Sequence, residues 1–116
     1  MIRSTFLALG LSALALPAMA EGWSITHLET MTSSGACMEQ GRSVINRYMF
    51  AHGGGSTGAD TWSLYGYDLE PGLQDVVIMC PSSGGQVFAI LVVQSESDSD
   101  DRGWAAQTLV DYWNEY

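Results

Sequence analysis

The stretch of this sequence that looks most like a reactive site is His52-Gly53-Gly54-Gly55-Ser56-Thr57-Gly58. It holds H-G-G-G, the oxyanion-loop pattern of some lipases, and G-x-S-x-G across Gly54, Ser56 and Gly58. Acyl transfer of that kind needs a strand before the serine and a helix after it, so that the hydroxyl stands at a sharp turn. Here the apolar spacing predicts a helix before and a strand after. The two patterns overlap, so one stretch would have to be both oxyanion loop and nucleophile turn. No histidine follows Ser56, as the triad order would require. The segment reads as a Gly-rich connector.

His27 and His52 are the only histidines. A small hydrolase using either of them is one functional hypothesis. His27 falls in a predicted strand, and His52 falls at a predicted helix end, where a cation is favoured and a surface capping role suits it. Their spacing matches no metal motif. Ser95 to Asp101 reads SESDSDD. Glu96, Asp98, Asp100 and Asp101 there form a candidate cation loop, the basis of a second hypothesis, a cation-binding accessory protein. The EF-hand template fails on it. Started at Asp98, it puts Arg102 at the fifth position and Leu109 at the twelfth, where ligands belong. No phosphate loop is present, since Gly53-Gly54-Gly55 is followed by no Lys. No pair of acids stands out as glycosidase carboxylates. The sequence calls for no cofactor, no metal centre and no catalytic set.

Cys37 and Cys80 are the only cysteines. Two cysteines cannot complete a cysteine-rich zinc site, no C-x-x-C is present, and neither has a basic neighbour to lower its pKa. In an exported protein they are expected to form one structural disulfide.

Export is the reading of the first twenty residues. Arg3 supplies a positive charge, Phe6 to Leu16 is an apolar run, and Ala18-Met19-Ala20 follows Pro17 as a small-residue cleavage site. That order predicts a signal peptide over 1–20. Its apolar run is short for a membrane span, which needs roughly 20 residues. Cleavage would leave residues 21–116 as a single domain in the periplasm or the extracellular space, with no membrane attachment.

The chain of 116 residues carries 13 Asp and Glu against 4 Arg and no Lys, a net charge of -9. Nucleic acid and anionic membrane surfaces are disfavoured, because both demand clustered cations. A basic protein is the natural partner of such a charge, and the leading expectation is a non-catalytic interaction module, an inhibitor or immunity protein. Salt adaptation is the competing account of the acidity. Four Trp and five Tyr are many for this length. Most should be core, while Tyr65 and Tyr67, on one face of a predicted strand, are the candidate partner contacts.

The elements that position these residues follow from periodicity. Trp23 to Glu29 reads as a strand, and Thr32-Ser33-Ser34 offers helix caps. Cys37, Val44, Ile45, Tyr48 and Met49 mark a helix over Ala36 to Phe50, and Ala51 to Ala59 reads as loop. Asp60 to Tyr67, Asp75 to Cys80 and Gln86 to Gln94 read as strands, broken at Glu70-Pro71-Gly72 and at Pro81 to Gly85. The strand at Asp75 to Cys80 is apolar on both faces and so should be central. A terminal helix follows the acidic loop. The order β-α-β-β-β-α predicts an α+β two-layer sandwich, an antiparallel sheet with both helices on one face.

Overall fold

The computed structural model describes residues 22–116; the leader expected over 1–20 lies outside the described residues. Eight elements follow one another: β1 (Gly22–Met31), α1 (Ser34–His52), β2 (Ser56–Ala59), β3 (Ser63–Leu69), β4 (Gln74–Met79), β5 (Ser82–Ser83), β6 (Gln86–Ser95) and α2 (Ser99–Asn114). The strands form one antiparallel sheet in the order β1-β6-β4-β3-β2, with β5 paired to β6. Both helices cover one face, as their shared apolar core with the sheet shows. The expected α+β sandwich is therefore the fold.

Local chemistry sets the element ends. Ser33 Oγ accepts the Ala36 amide at 3.1 Å and opens α1. Gly53, at φ 98°, closes it by donating its amide to Met49 O at 2.9 Å. Asp98 opens α2 by accepting the Asp101 amide at 2.8 Å, and Asp100 and Asp101 place negative charge in its first turn. Gly84 and Gly85, both at positive φ, make the two-residue turn between β5 and β6.

The core is built from the inward residues of alternating strands. Val76 and Ile78 of β4, with Val87, Ala89, Leu91 and Val93 of β6, are buried beneath the helices. α1 contributes Cys37, Val44, Ile45 and Tyr48, and α2 contributes Leu109 and Trp113. Gly41 lets α1 lie close on the sheet, since a Cβ there would sit 2.6 Å from Leu64 Cδ1. Cys37, in the first turn of α1, is bonded to Cys80, just past β4, with Cα atoms 6.0 Å apart. The expected disulfide is present, and it ties the helix layer to the sheet.

The sequence reading is exceeded in several places: α1 runs on to His52, and Ser82–Ser83, expected as turn, is the short strand β5. Ser56–Ala59, expected as loop, is an edge strand whose residues pair Ser56 with Tyr67 and Ala59 with Leu64. Ser-Thr-Gly-Ala has no apolar alternation, so only pairing with β3 makes it extended. Ser99 to Asp101, expected as loop, is the start of α2.

Candidate functional site

Among the described residues no element covers the second face of the sheet. Its residues follow from the pairing register. Trp23, Ile25 and His27 of β1 lie opposite Gln94, Val92 and Ile90 of β6. On the other side of β6, Gln94, Val92 and Ile90 lie opposite Asp75, Val77 and Met79 of β4. Val77 in turn lies opposite Tyr65 of β3. Paired residues point to the same face, so these rows form one continuous apolar surface. Ile25 is 70% exposed, Trp23 63% and Tyr67 42%. Phe88, Ile90, Val92, Val77 and Met79 are half-buried. β4 is central, as its two-sided apolarity predicts, and β6 is central beside it, yet among the described residues only one of their faces is covered.

The two candidate contact tyrosines lie on this surface. Tyr65 and Tyr67 stack with ring centroids 6.3 Å apart and planes 11° from parallel. Tyr65 Oη donates to Asp60 Oδ2 at 2.6 Å. That shared bond holds the Asp60 carboxyl below its ordinary pKa and raises the Tyr65 hydroxyl. Asp60 also accepts the amides of Trp62 and Ser63, at 3.2 and 3.0 Å. The aromatic pair is thus fixed in place before any partner arrives, which lowers the entropy cost of contact. His27 lies at the opposite end of the face, sharing a 3.2 Å hydrogen bond with Thr30 Oγ1.

Charge is divided between the layers. Among the described residues all arginines are helical: Arg42 and Arg47 on α1 and Arg102 on α2. The strands carry Glu29, Asp68 and Asp75 and no Arg or Lys. Glu29 turns to the helix side, while Asp75, in register with Gln94, and Asp60, bonded to Tyr65, put acidic groups at the rim of the open face, which among the described residues carries no Arg or Lys.

No family model, no curated protein and no solved structure matches this chain, so the site is read from its own geometry.

His52 belongs to the other layer and is far from a bare capping residue. It shares a 2.8 Å hydrogen bond with Tyr112 Oη, and its ring lies 4.9 Å from that of Tyr48 and 5.0 Å from that of Trp104. Arg47 Cζ sits 3.9 Å above the Tyr112 ring and pairs with Glu115 at 2.9 Å. This cluster joins α1 to α2 and was invisible to local sequence reasoning, because His52 and Tyr112 are 60 residues apart. The sheet separates His27 from His52, so the two histidines do not share a site. Tyr48 is fully buried and donates to Glu70 O at 2.7 Å. Burial, with the nearby Tyr112, Glu70 and Asp101, pushes its pKa up to about 12. A raised folded-state value means that the neutral form is the stabilised one. The stabilisation is whole below pH 10 and is lost as pH rises through about 12. Urea unfolding between pH 9 and 12 should show a steep alkaline loss that Tyr48→Phe flattens; an unchanged slope would contradict this assignment.

The candidate cation loop is held by its own hydrogen bonds. Asp98 caps α2, and Arg102 Nη1 donates to Ser97 O at 3.0 Å and to Ser95 O at 3.4 Å. Among the described residues no three His, Cys, Asp or Glu side chains cluster as metal ligands.

Proposed function

We propose that this chain is an exported binding module that docks a basic protein on the open face of its sheet, in the manner of an inhibitor or immunity protein. The observation that carries the reading is the uncovered apolar face itself. A contiguous surface of Trp23, Ile25, Phe88, Ile90, Val92, Val77, Met79, Tyr65 and Tyr67 is what a partner covers and what an isolated monomer seldom leaves in water. Trp and Tyr are the side chains that dominate binding energy at interface centres. The acidic rim and the net charge of -9 select a basic partner and speed its approach. The disulfide fits a chain that folds in an oxidising compartment, and the periplasm is the compartment we assign to it.

The test is calorimetric titration of the purified chain with a lysozyme-type cell-wall hydrolase, a basic protein of the class proposed. Binding should weaken with added salt. The double variant Trp23→Ser, Ile25→Ser should lose at least about 100-fold in affinity, as expected for two hot-spot residues, at unchanged melting temperature. Binding that survives the double variant would remove the open face from the interaction. A dimer that the same variant dissolves would assign the face to a second copy instead.

A further inference from the structure

We propose that the groove between α1 and the edge strand β2 binds the free carboxyl end of an extended peptide, which joins the sheet beside β2.

Among the described residues β2 is the last strand of the sheet and pairs only with β3. All four of its residues are exposed. The turn that follows fixes which backbone groups face outward. The Asp60 amide donates to Ser63 O at 3.0 Å, so in the alternating antiparallel ladder Gly58 bonds toward β3. The amides and carbonyls of Thr57 and Ala59 then face the open side. Such a row is a template for another strand. Proteins commonly guard such an edge with Lys, Pro or a bulge. Ser56, Thr57, Gly58 and Ala59 offer none of these, and their small side chains leave the approach clear.

A groove runs alongside. It has a volume of about 240 Å³ and is lined by Arg42, Ile45 and Asn46 of α1, by Thr57 to Ala59 of β2, and by Leu64 and Tyr65 of β3. Ile45 and Leu64 give it an apolar floor. A peptide strand laid against β2 would turn alternate side chains over this floor, the arrangement by which sheet edges read peptide sequence.

Arg42 supplies the specificity. Arg47 is engaged by Glu115 and Tyr112, and Arg102 by the carbonyls of Ser95 and Ser97. Among the described residues Arg42 makes neither a hydrogen bond nor an ion pair, although the chain has acids to spare. It stands at the groove, exposed, with its guanidinium available to a carboxylate. The field of a chain at -9 repels an acidic run. A single carboxylate on an otherwise uncharged segment avoids that repulsion, so the ligand is a chain terminus and not an acidic stretch.

The probe is an acetylated hexapeptide of alternating threonine and valine ending in a free valine carboxylate, with its C-terminal amide as control. Titrated into the nitrogen-15-labelled protein, the free acid should shift the Thr57 and Ala59 amides most, in a saturable way. The amide should bind about tenfold more weakly, the loss of one charge-assisted hydrogen bond. Arg42→Gln should cost the free acid the same factor and the amide nothing. Thr57→Pro should abolish binding while β2 stays paired, since the lost amide faces outward. Equal binding of acid and amide, or shifts that avoid Thr57 and Ala59 at millimolar peptide, would overturn the proposal. Arg42→Gln alters an exposed side chain that has no partner among the described residues, so it keeps the test open even if Thr57→Pro fails to fold.

Discussion

Alanine at both Cys37 and Cys80 should lower the unfolding free energy by about 4 kcal/mol, the chain-entropy value for closing a loop of this size. The loop spans 43 residues and holds α1, β2, β3 and β4. With the bond gone, the unfolded chain regains that freedom, while the folded layers keep their apolar contact. Alanine is the right replacement because both positions are buried, and a serine hydroxyl there would lack a partner. For a domain this small the loss corresponds to a fall in melting temperature of roughly 15 to 30 °C. Thermal unfolding followed by circular dichroism, with and without reductant, measures it. Superimposable curves would show that the bond adds nothing to the folded state.

Trp113→Ala should cost about 3 to 5 kcal/mol, the range for emptying a large aromatic from a packed core. Trp113 is 2% exposed and belongs to the core beneath both helices. Its Nε1 donates to Glu29 Oε1 at 3.0 Å, which fastens α2 to β1. Trp113→Phe separates the two contributions. It keeps most of the buried ring and loses the hydrogen bond, a loss of about 1 kcal/mol. Urea midpoints of the two variants give the comparison. Similar losses for both would mean that the hydrogen bond, and not the packing, carries the residue's role.

Much of the architecture is legible from local patterns. The cap at Ser33, the spacing of Cys37, Val44, Ile45 and Tyr48, and the apolar runs of β4 and β6 are each contained in short windows, and the structure follows them. The pairing of Cys37 with Cys80 needed only counting and a compartment. β2 was hidden because Ser, Thr, Gly and Ala carry no strand signature; the hairpin with β3 makes the strand. The cluster around His52 was hidden for another reason. His52 and Tyr112 stand 60 residues apart in the chain, and only the packing of α1 against α2 brings them together. The open face lies between these cases. Its residues were visible as the outward half of two-sided apolar strands, but their alternation does not say whether a second layer covers them. Tyr65 and Tyr67 were read as surface aromatics from the same alternation, without sight of the apolar field around them.

The pairing of β1 with β6 slips by one residue between His27 and Glu29. The first strand is thereby read in two phases. Before the slip, Trp23, Ile25 and His27 stand on the solvent side; after it, Glu29 turns beneath the sheet to reach Trp113. The extra residue lets two successive side chains lie toward the helices, Leu28 against the core and Glu29 at Trp113. A deletion there would bring the strand back into a single phase. With Leu28 gone, Glu29 would follow His27 directly and still stand opposite Ala89, so carboxylate and tryptophan would both keep their faces and the strand would lose only the Leu28 side chain that packs against the core.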